Sequence, residues 1–206
     1  MARPVEIDRD EAVDAAMREF WRRGYAATTV PQLLDATGMG AGSFYAAFGN
    51  KAALFRRALD RYSTRYGARL AAIRGAHRGL SAVRAFLEQT LIDAEDDTRG
   101  QGCLVVNTAL ECAGIDDTLA RRSREHLASL RASLLELLGE ARQLDELRHD
   151  LDLEDGTDLL VALIHGLRVD CRIGLSRQEA ERRVSTAIRL LQSTVPISDT
   201  TRSKTP

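Results

Sequence analysis

Apolar residues in this chain recur three and four positions apart, and no segment alternates apolar with polar residues as a strand would. That spacing predicts an all-α protein. A first helix is expected from about Asp10 to Gly24, with Val13, Met17, Phe20 and Trp21 on one face and Gly24 as its stop. Thr29 is placed to cap a second helix that carries Pro31 in its first turn and turns Leu33 and Leu34 inward. Gly38-Met39-Gly40 makes a turn into a short third helix, Ala41 to Phe48, which Phe44 and Phe48 at i and i+4 anchor to the other two. Gly49-Asn50 then breaks the chain, with Asn50 as N-cap of a long fourth helix through Leu54, Phe55, Ala58, Leu59, Tyr62, Tyr66, Leu70 and Ile73. Further helices are predicted at 80–96, 101–114, 117–143, 155–173 and 177–194. The last opens on Ser176-Arg177-Gln178-Glu179, the spacing of a capping box.

Net charge is only −1, but it is unevenly distributed. Residues 1–74 hold 12 Lys/Arg against 8 Asp/Glu, and residues 75–206 hold 17 against 22. A basic front on an acidic body suits a protein that presents one end to a polyanion. No apolar run approaches the ~18 residues of a membrane span, and Met1 to Ala12 has no apolar core of the kind a secretory signal needs. Three cysteines without an export signal are expected as free thiols in a reducing cytoplasm.

A helix that reads DNA must be held by apolar side chains on one side and offer small or polar ones on the other. Residues 41–48 satisfy this. Phe44 and Phe48 point inward, which leaves Ala41, Gly42, Ser43, Tyr45, Ala46 and Ala47 for a groove. Ser43 can bond a base edge or a phosphate, and Tyr45 can reach a phosphate oxygen. Lys51 and Thr29, each at the start of a helix, are candidate phosphate contacts, and Arg3 in the leading arm is a candidate for the minor groove or backbone.

These residues resemble the N-terminal domain of TetR-type transcriptional regulators. The likeness lies in Gly24-Tyr25, Thr28-Thr29-Val30, Thr37-Gly38, Gly42-Ser43-Phe44-Tyr45, Phe48, and Lys51 with Leu54. It implies a three-helix helix-turn-helix DNA-binding domain over 1–50 and a helical regulatory and dimerisation domain over 51–196; the tail over 197–206 is polar and is expected to be disordered. It further implies a homodimeric repressor that binds a palindromic double-stranded operator, pairs through helices 155–173 and 177–194, and is released by an inducer in a body cavity. The sequence departs from the family at Ala46, where many relatives carry a larger polar or basic side chain, and at Pro31. The alanines imply that base readout rests on few side chains and partly on DNA shape.

Helix 155–173 is apolar on nearly every side apart from Asp158, His165, Arg168 and Arg172, so it must be covered on more than one face, whether by a partner or by its own core. Beyond Tyr66 the only aromatic residue is Phe86. Tyr62, Tyr66 and Phe86 can offer few planar walls, so the inducer is expected to be small or aliphatic, or to act covalently. The segment Gln101 to Asn107 places Cys103 in the first turn of a predicted helix, where backbone amides favour a thiolate. Gly102-Cys103-Leu104 is similar to a branch of the same family in which this cysteine senses electrophiles or oxidants, with a cation such as Arg168 or Arg172 assisting. The other reading of Cys103 is a small apolar filler. Cys112 and Cys171 read as core cysteines.

Other classes are less well supported. A thiol hydrolase would pair Cys103 with His77, His126, His149 or His165, and no spacing brings them together. No phosphate loop, dinucleotide fingerprint or HExxH motif occurs, so no enzyme activity, cofactor or metal is expected. A helical adaptor that binds only protein is the remaining alternative.

Overall fold

Caps set where the helices of this chain begin and end. The computed structural model describes residues 8–95, 101–114 and 116–192, without the side chains of 92–95, 171 and 172. Its helices are α1 (Arg9–Arg23), α2 (Val30–Thr37), α3 (Ala41–Phe48), α4 (Lys51–Ala76), α5 (Gly79–Glu95), α6 (Leu104–Cys112), α7 (Asp117–Gln143), α8 (Leu153–Arg172) and α9 (Arg177–Leu191). Thr29 and Gln32 form a reciprocal capping box at α2, and Ser176 and Glu179 form one at α9. The Asn50 side chain accepts from the Ala53 amide and starts α4.

Three boundaries differ from the sequence expectation. α6 opens at Leu104, not 101, because Gly102 has φ 68° and Cys103 is extended (φ −102°, ψ 119°). Cys103 is therefore the N-cap residue and not part of the first turn. α8 starts at Leu153, earlier than expected, because the Asp152 carboxylate accepts from the amides of Glu154 and Asp155. α9 stops at Leu191, where the Leu191 carbonyl accepts from the Arg148 amide and Gln192 bridges to Leu147. Arg3 and the 197–206 tail lie outside the described residues.

Two apolar cores result. The first joins Phe20, Leu33, Phe44 and Phe48 of α1–α3 to Leu54, Phe55 and Leu59 of α4. It also takes in Leu104, Val105, Cys112 and Leu119 from α6 and α7. The second gathers Leu87, Leu134, Leu137, Leu138, Leu160, Ile164, Val184 and Leu191 from α5, α7, α8 and α9. Burying each such Leu or Phe contributes roughly 1.5–3 kcal/mol. α4 runs from one core to the other, contributing Leu54 at its start and Leu70 near its end. Arg61 and Arg65 of α4 clasp Asp14 of α1, which fixes the angle at which the N-terminal unit leaves α4. No helix is long and apolar enough to cross a membrane among the described residues.

Candidate nucleic-acid interface and regulatory cavity

α3 has two distinct faces. Phe44 and Phe48 are buried, with their rings edge-on at 5.7 Å. Ala41, Gly42, Ser43, Tyr45 and Ala46 are exposed. Tyr45 is 51% exposed and braced edge-on against Phe44 at 5.4 Å. A Cβ added at Gly42 would meet nothing within 4 Å, so this face approaches a surface with backbone and small side chains alone. Thr29 sits at the exposed start of α2, where its hydroxyl accepts from the Gln32 amide.

Lys51 does not reach outward. Its ammonium lies 4.5 Å from the centre of the Tyr25 ring and donates to the Ala26 carbonyl at 3.4 Å. Burial lowers its pKa from the usual lysine value. An exposed cation beside α3 is Arg57 of α4, whose guanidinium lies over the Phe48 ring at 5.5 Å. Sequence reasoning passed over Arg57. Its signal was a place on α4 close after Lys51, in the basic part of the chain.

The body holds a half-open cavity of about 90 Å³ between α4, α7, α8 and the start of α6, with Cys103 in its lining. Tyr62, Tyr66, Cys103, His165 and Arg168, all singled out from sequence, line it together. Phe86 and Asn107 do not. Phe86 is buried behind Tyr66 with rings 5.3 Å apart, and the Asn107 amide is turned away to the Gln101 carbonyl at 2.7 Å. The Arg172 side chain lies outside the described residues. His126, named from sequence only as a possible partner of Cys103 in a thiol hydrolase, lines the cavity as well, a meeting that depends on how α7 crosses α4.

Arg168 is 6% exposed and donates to the Tyr62 hydroxyl at 2.8 Å, while that hydroxyl donates to Cys103 Sγ at 3.6 Å. The chain thus runs from a buried cation through a phenol to the thiol. Burial, and then the adjacent Cys103, holds the Tyr62 phenol well above its usual range, so it stays protonated and remains a donor. Burial pushes Cys112 up to about 11, with Glu111 and Asp116 adding to it, so Cys112 stays a thiol. The described residues hold no group of three or more His, Cys, Asp or Glu side chains arranged for a metal.

α6 links the two regions. At its start, Trp21 of α1 donates from Nε1 to the Gly102 carbonyl at 3.1 Å and stacks edge-on against Tyr62 at 5.1 Å. At its other end the Glu111 carboxylate accepts from the amides of Tyr25 at 2.8 Å and Ala26 at 2.6 Å. Gly24 allows this clasp. Its φ is +86°, and a Cβ there would stand 3.0 Å from Glu111 Oε2. The turn that enters α2 is therefore held by the helix that begins at Cys103.

Comparison with known proteins agrees with this geometry. Residues 12–58 match the model of bacterial regulatory proteins of the tetR family, and residues 79–188 match a tetracyclin repressor-like C-terminal domain. The chain is 30% identical over 197 residues to the HTH-type transcriptional repressor ComR of Escherichia coli (strain K12), covering 91% of this chain and 90% of ComR. It is 40% identical over 60 residues to the E. coli repressor BdcR, covering 29% of this chain and 30% of BdcR. A cysteine mutant of the TetR family regulator CifR, solved with 26-base-pair operator DNA, superposes with a TM-score of 0.78 at 29% identity, covering 92% of this chain and all of that one (100%). Two family models, one running into the start of α4 and the other beginning just after its end, together with a repressor alike over nearly its full length, leave one assignment: the chain belongs to the TetR family of bacterial regulatory proteins.

Proposed function

We propose that this protein is a homodimeric transcriptional repressor that reads a palindromic DNA operator with α3 of each copy and is released by a small or reactive inducer at the body cavity. Residues 1–50 would form the reading unit, and 51–196 the regulatory and dimerisation unit, in the cytoplasm. The observation that carries the reading is α3 itself, whose Phe44 and Phe48 are buried while Ala41, Gly42, Ser43, Tyr45 and Ala46 stand free. Operator DNA bound by a neighbour of similar fold supports the same role here. Ser43 would meet a base edge or phosphate, while Tyr45, Thr29 and Arg57 would meet the backbone. Lys51 would do so only after leaving Tyr25.

Pairing rests on α8 and α9. Leu159, Ala162, Gly166, Val169 and Ile173 form an exposed stripe at the three–four spacing of a helix face, and Leu190 of α9 is exposed as well. Small residues in the middle of the stripe let a second helix approach closely, as in a four-helix interface. An operator fits when the two reading helices stand about one DNA turn apart, ~34–36 Å. An inducer releases DNA only if it binds better to another spacing.

Gel mobility shift with DNA upstream of the protein's own gene tests this reading. We expect a dimer by sedimentation, and affinity that falls steeply with salt, with a log–log slope of about −0.9 per phosphate contacted. Gly166→Glu, which adds a charge to the stripe where nothing lies within 4 Å of the new Cβ, should give monomers that bind the full operator far more weakly. A wild-type monomer indifferent to DNA at low salt would overturn the proposal.

The hydrogen-bond chain from Arg168 through Tyr62 to Cys103 supports a second reading, in which Cys103 is a thiol sensor. That contact puts the Cys103 sulfur at the end of a hydrogen-bond chain that starts from a buried cation. N-ethylmaleimide, which adds the sulfur across its double bond, should release the wild-type protein from DNA and leave Cys103→Ser bound. Equal responses would assign induction to a reversible ligand alone.

A further inference from the structure

The lining of the body cavity holds one permanently charged side chain, Arg168, and no Asp or Glu. Arg168 is 6% exposed, and among the described residues its guanidinium has no carboxylate partner; it donates to the Tyr62 hydroxyl and lies 5.5 Å from the centre of the Tyr66 ring. A cation taken out of water without a counter-charge is costly by several kcal/mol. One buried polar atom of the lining, His165 Nε2, has no hydrogen-bond partner among the described residues, while His126 Nε2 faces Asp60 Oδ1 at 3.5 Å. Such an unpartnered atom is rare in a folded protein and calls for a reason. Leu70, Leu130 and Ile164 supply apolar wall.

We propose that this cavity is a binding site for a small organic monocarboxylate, with the carboxylate paired to Arg168 and a short apolar tail against Leu70, Leu130 and Ile164. The proposal deepens the inducer reading above and rests on it for its regulatory meaning. Charge selects the ligand class. Burial and the charge of Arg168 hold the pKa of His165 below its ordinary value, and burial and then Arg122 do the same for His126. Both shifts favour the neutral imidazole, with Asp60 and Glu125 acting the other way on His126, and Arg168 is the one permanently charged side chain in the lining. Neutral imidazoles and phenols can donate to or accept from a carboxylate or an adjacent hydroxyl or keto oxygen. Size sets the limit. About 90 Å³ accommodates roughly six to nine water-sized groups at ~10–15 Å³ each, which excludes the large planar cations that need several aromatic walls.

Cys103 does not substitute for the ligand. The Tyr62 hydroxyl stands between the guanidinium and the sulfur, accepting from one at 2.8 Å and donating to the other at 3.6 Å. A carboxylate on the open side of Arg168 would pull the guanidinium from Tyr62, and Tyr62 packs against Trp21 of α1. Occupancy at the cavity is thereby felt at the N-terminal unit.

Isothermal titration of the full chain, free of DNA, with acetate, butyrate, hexanoate, decanoate and the neutral butyramide tests the site. Butyrate or hexanoate should bind tightest, decanoate should be rejected, and butyramide should bind at least about 30-fold more weakly than butyrate, because the amide leaves the buried charge unpaired. Arg168→Met should lose the acids, while Cys103→Ala should keep them. Removing an uncompensated buried charge is not expected to unfold the protein, and the acid–amide comparison on the wild type decides the matter if the variant does misfold. Acid and amide binding equally, acids that still bind Arg168→Met, or no binding by any acid would each overturn the proposal. The same acids are then added to the protein–operator complex. Binding without release of DNA would leave the carboxylate site standing and overturn the inducer reading.

Discussion

Gly42→Glu is expected to weaken operator binding by at least about 100-fold and to leave the fold intact. The position is exposed, in the first turn of α3, and a Cβ built there meets nothing within 4 Å. The new side chain therefore disturbs no packing. It should even favour the helix, since leaving Gly in a helix costs roughly 0.8–1.0 kcal/mol relative to Ala and a carboxylate at a helix N-terminus is stabilising. Thermal midpoints should be unchanged or slightly raised. In the groove the same carboxylate meets a wall of phosphates. Juxtaposed like charges cost several kcal/mol, and each ~1.4 kcal/mol is tenfold in affinity. Gly42→Ala adds only a methyl group and serves as the control, with affinity expected within a few fold of wild type. Fluorescence anisotropy on labelled operator at fixed salt measures all three proteins. If Gly42→Glu bound as well as wild type with an unchanged melting curve, α3 could not be the reading helix.

Local signals in this sequence carried the N-terminal unit almost whole. Thr29, Asn50 and Ser176 cap the helices they were expected to cap, because capping is decided within a few residues. The inward turn of Phe44 and Phe48 was equally legible, since i and i+4 on a short helix leave one apolar stripe. The boundary of α6 was not. Gly102 and Gly114 flank Leu104 to Cys112, and it is the positive φ of Gly102 and the capture of the Gln101 carbonyl by Asn107 that set the start. The cavity was legible in part. Cys103, Tyr62, Tyr66, His165 and Arg168 come from three separate segments, and their meeting depends on how α4 and α8 cross. Aromatic placement singled out Tyr62 and Tyr66, helical spacing singled out His165 and Arg168, and the resemblance tied Cys103 to a cation such as Arg168. Lys51 shows the limit of reading residue type alone. A lysine at a helix start looks like a phosphate contact, yet the Tyr25 ring a few ångströms away gives its stem and charge another place to rest. Glu111 gave no local signal at all, because its two partners lie 86 and 85 positions back along the chain.

That long-range clasp leads to the second large expected effect. Glu111→Ala should uncouple the N-terminal unit from the cavity while leaving DNA binding largely in place. The carboxylate accepts from the Tyr25 and Ala26 amides, and the first of these contacts is only half-buried while the second is exposed. Hydrogen bonds to charged groups contribute ~1.5–3 kcal/mol each, and their exposure to solvent discounts the pair below that range, to a combined loss of about 2 kcal/mol. At ~2–4 °C per kcal/mol for a chain of this size, the melting midpoint should drop by roughly 4–8 °C. Operator affinity should fall only a few fold, because α1 to α3 remain packed on Leu54, Phe55 and Leu59 and held by the Arg61–Asp14 pair. The response to induction should change far more. Allosteric couplings run to ~1–3 kcal/mol, or about 5–150-fold, and here the path from Cys103 to the turn before α2 is α6, fixed at one end by Trp21 and Gly102 and at the other by Glu111. With Glu111 removed, a displaced α6 no longer pulls on that turn. The ratio of operator affinities before and after alkylation of Cys103, or with and without bound carboxylate, should collapse toward one. Glu111→Gln keeps a single acceptor for the two amides and should fall between. A Glu111→Ala protein that responds as fully as wild type would place the whole coupling in α4, whose Tyr62 faces the cavity and whose Arg61 holds Asp14 of the N-terminal unit.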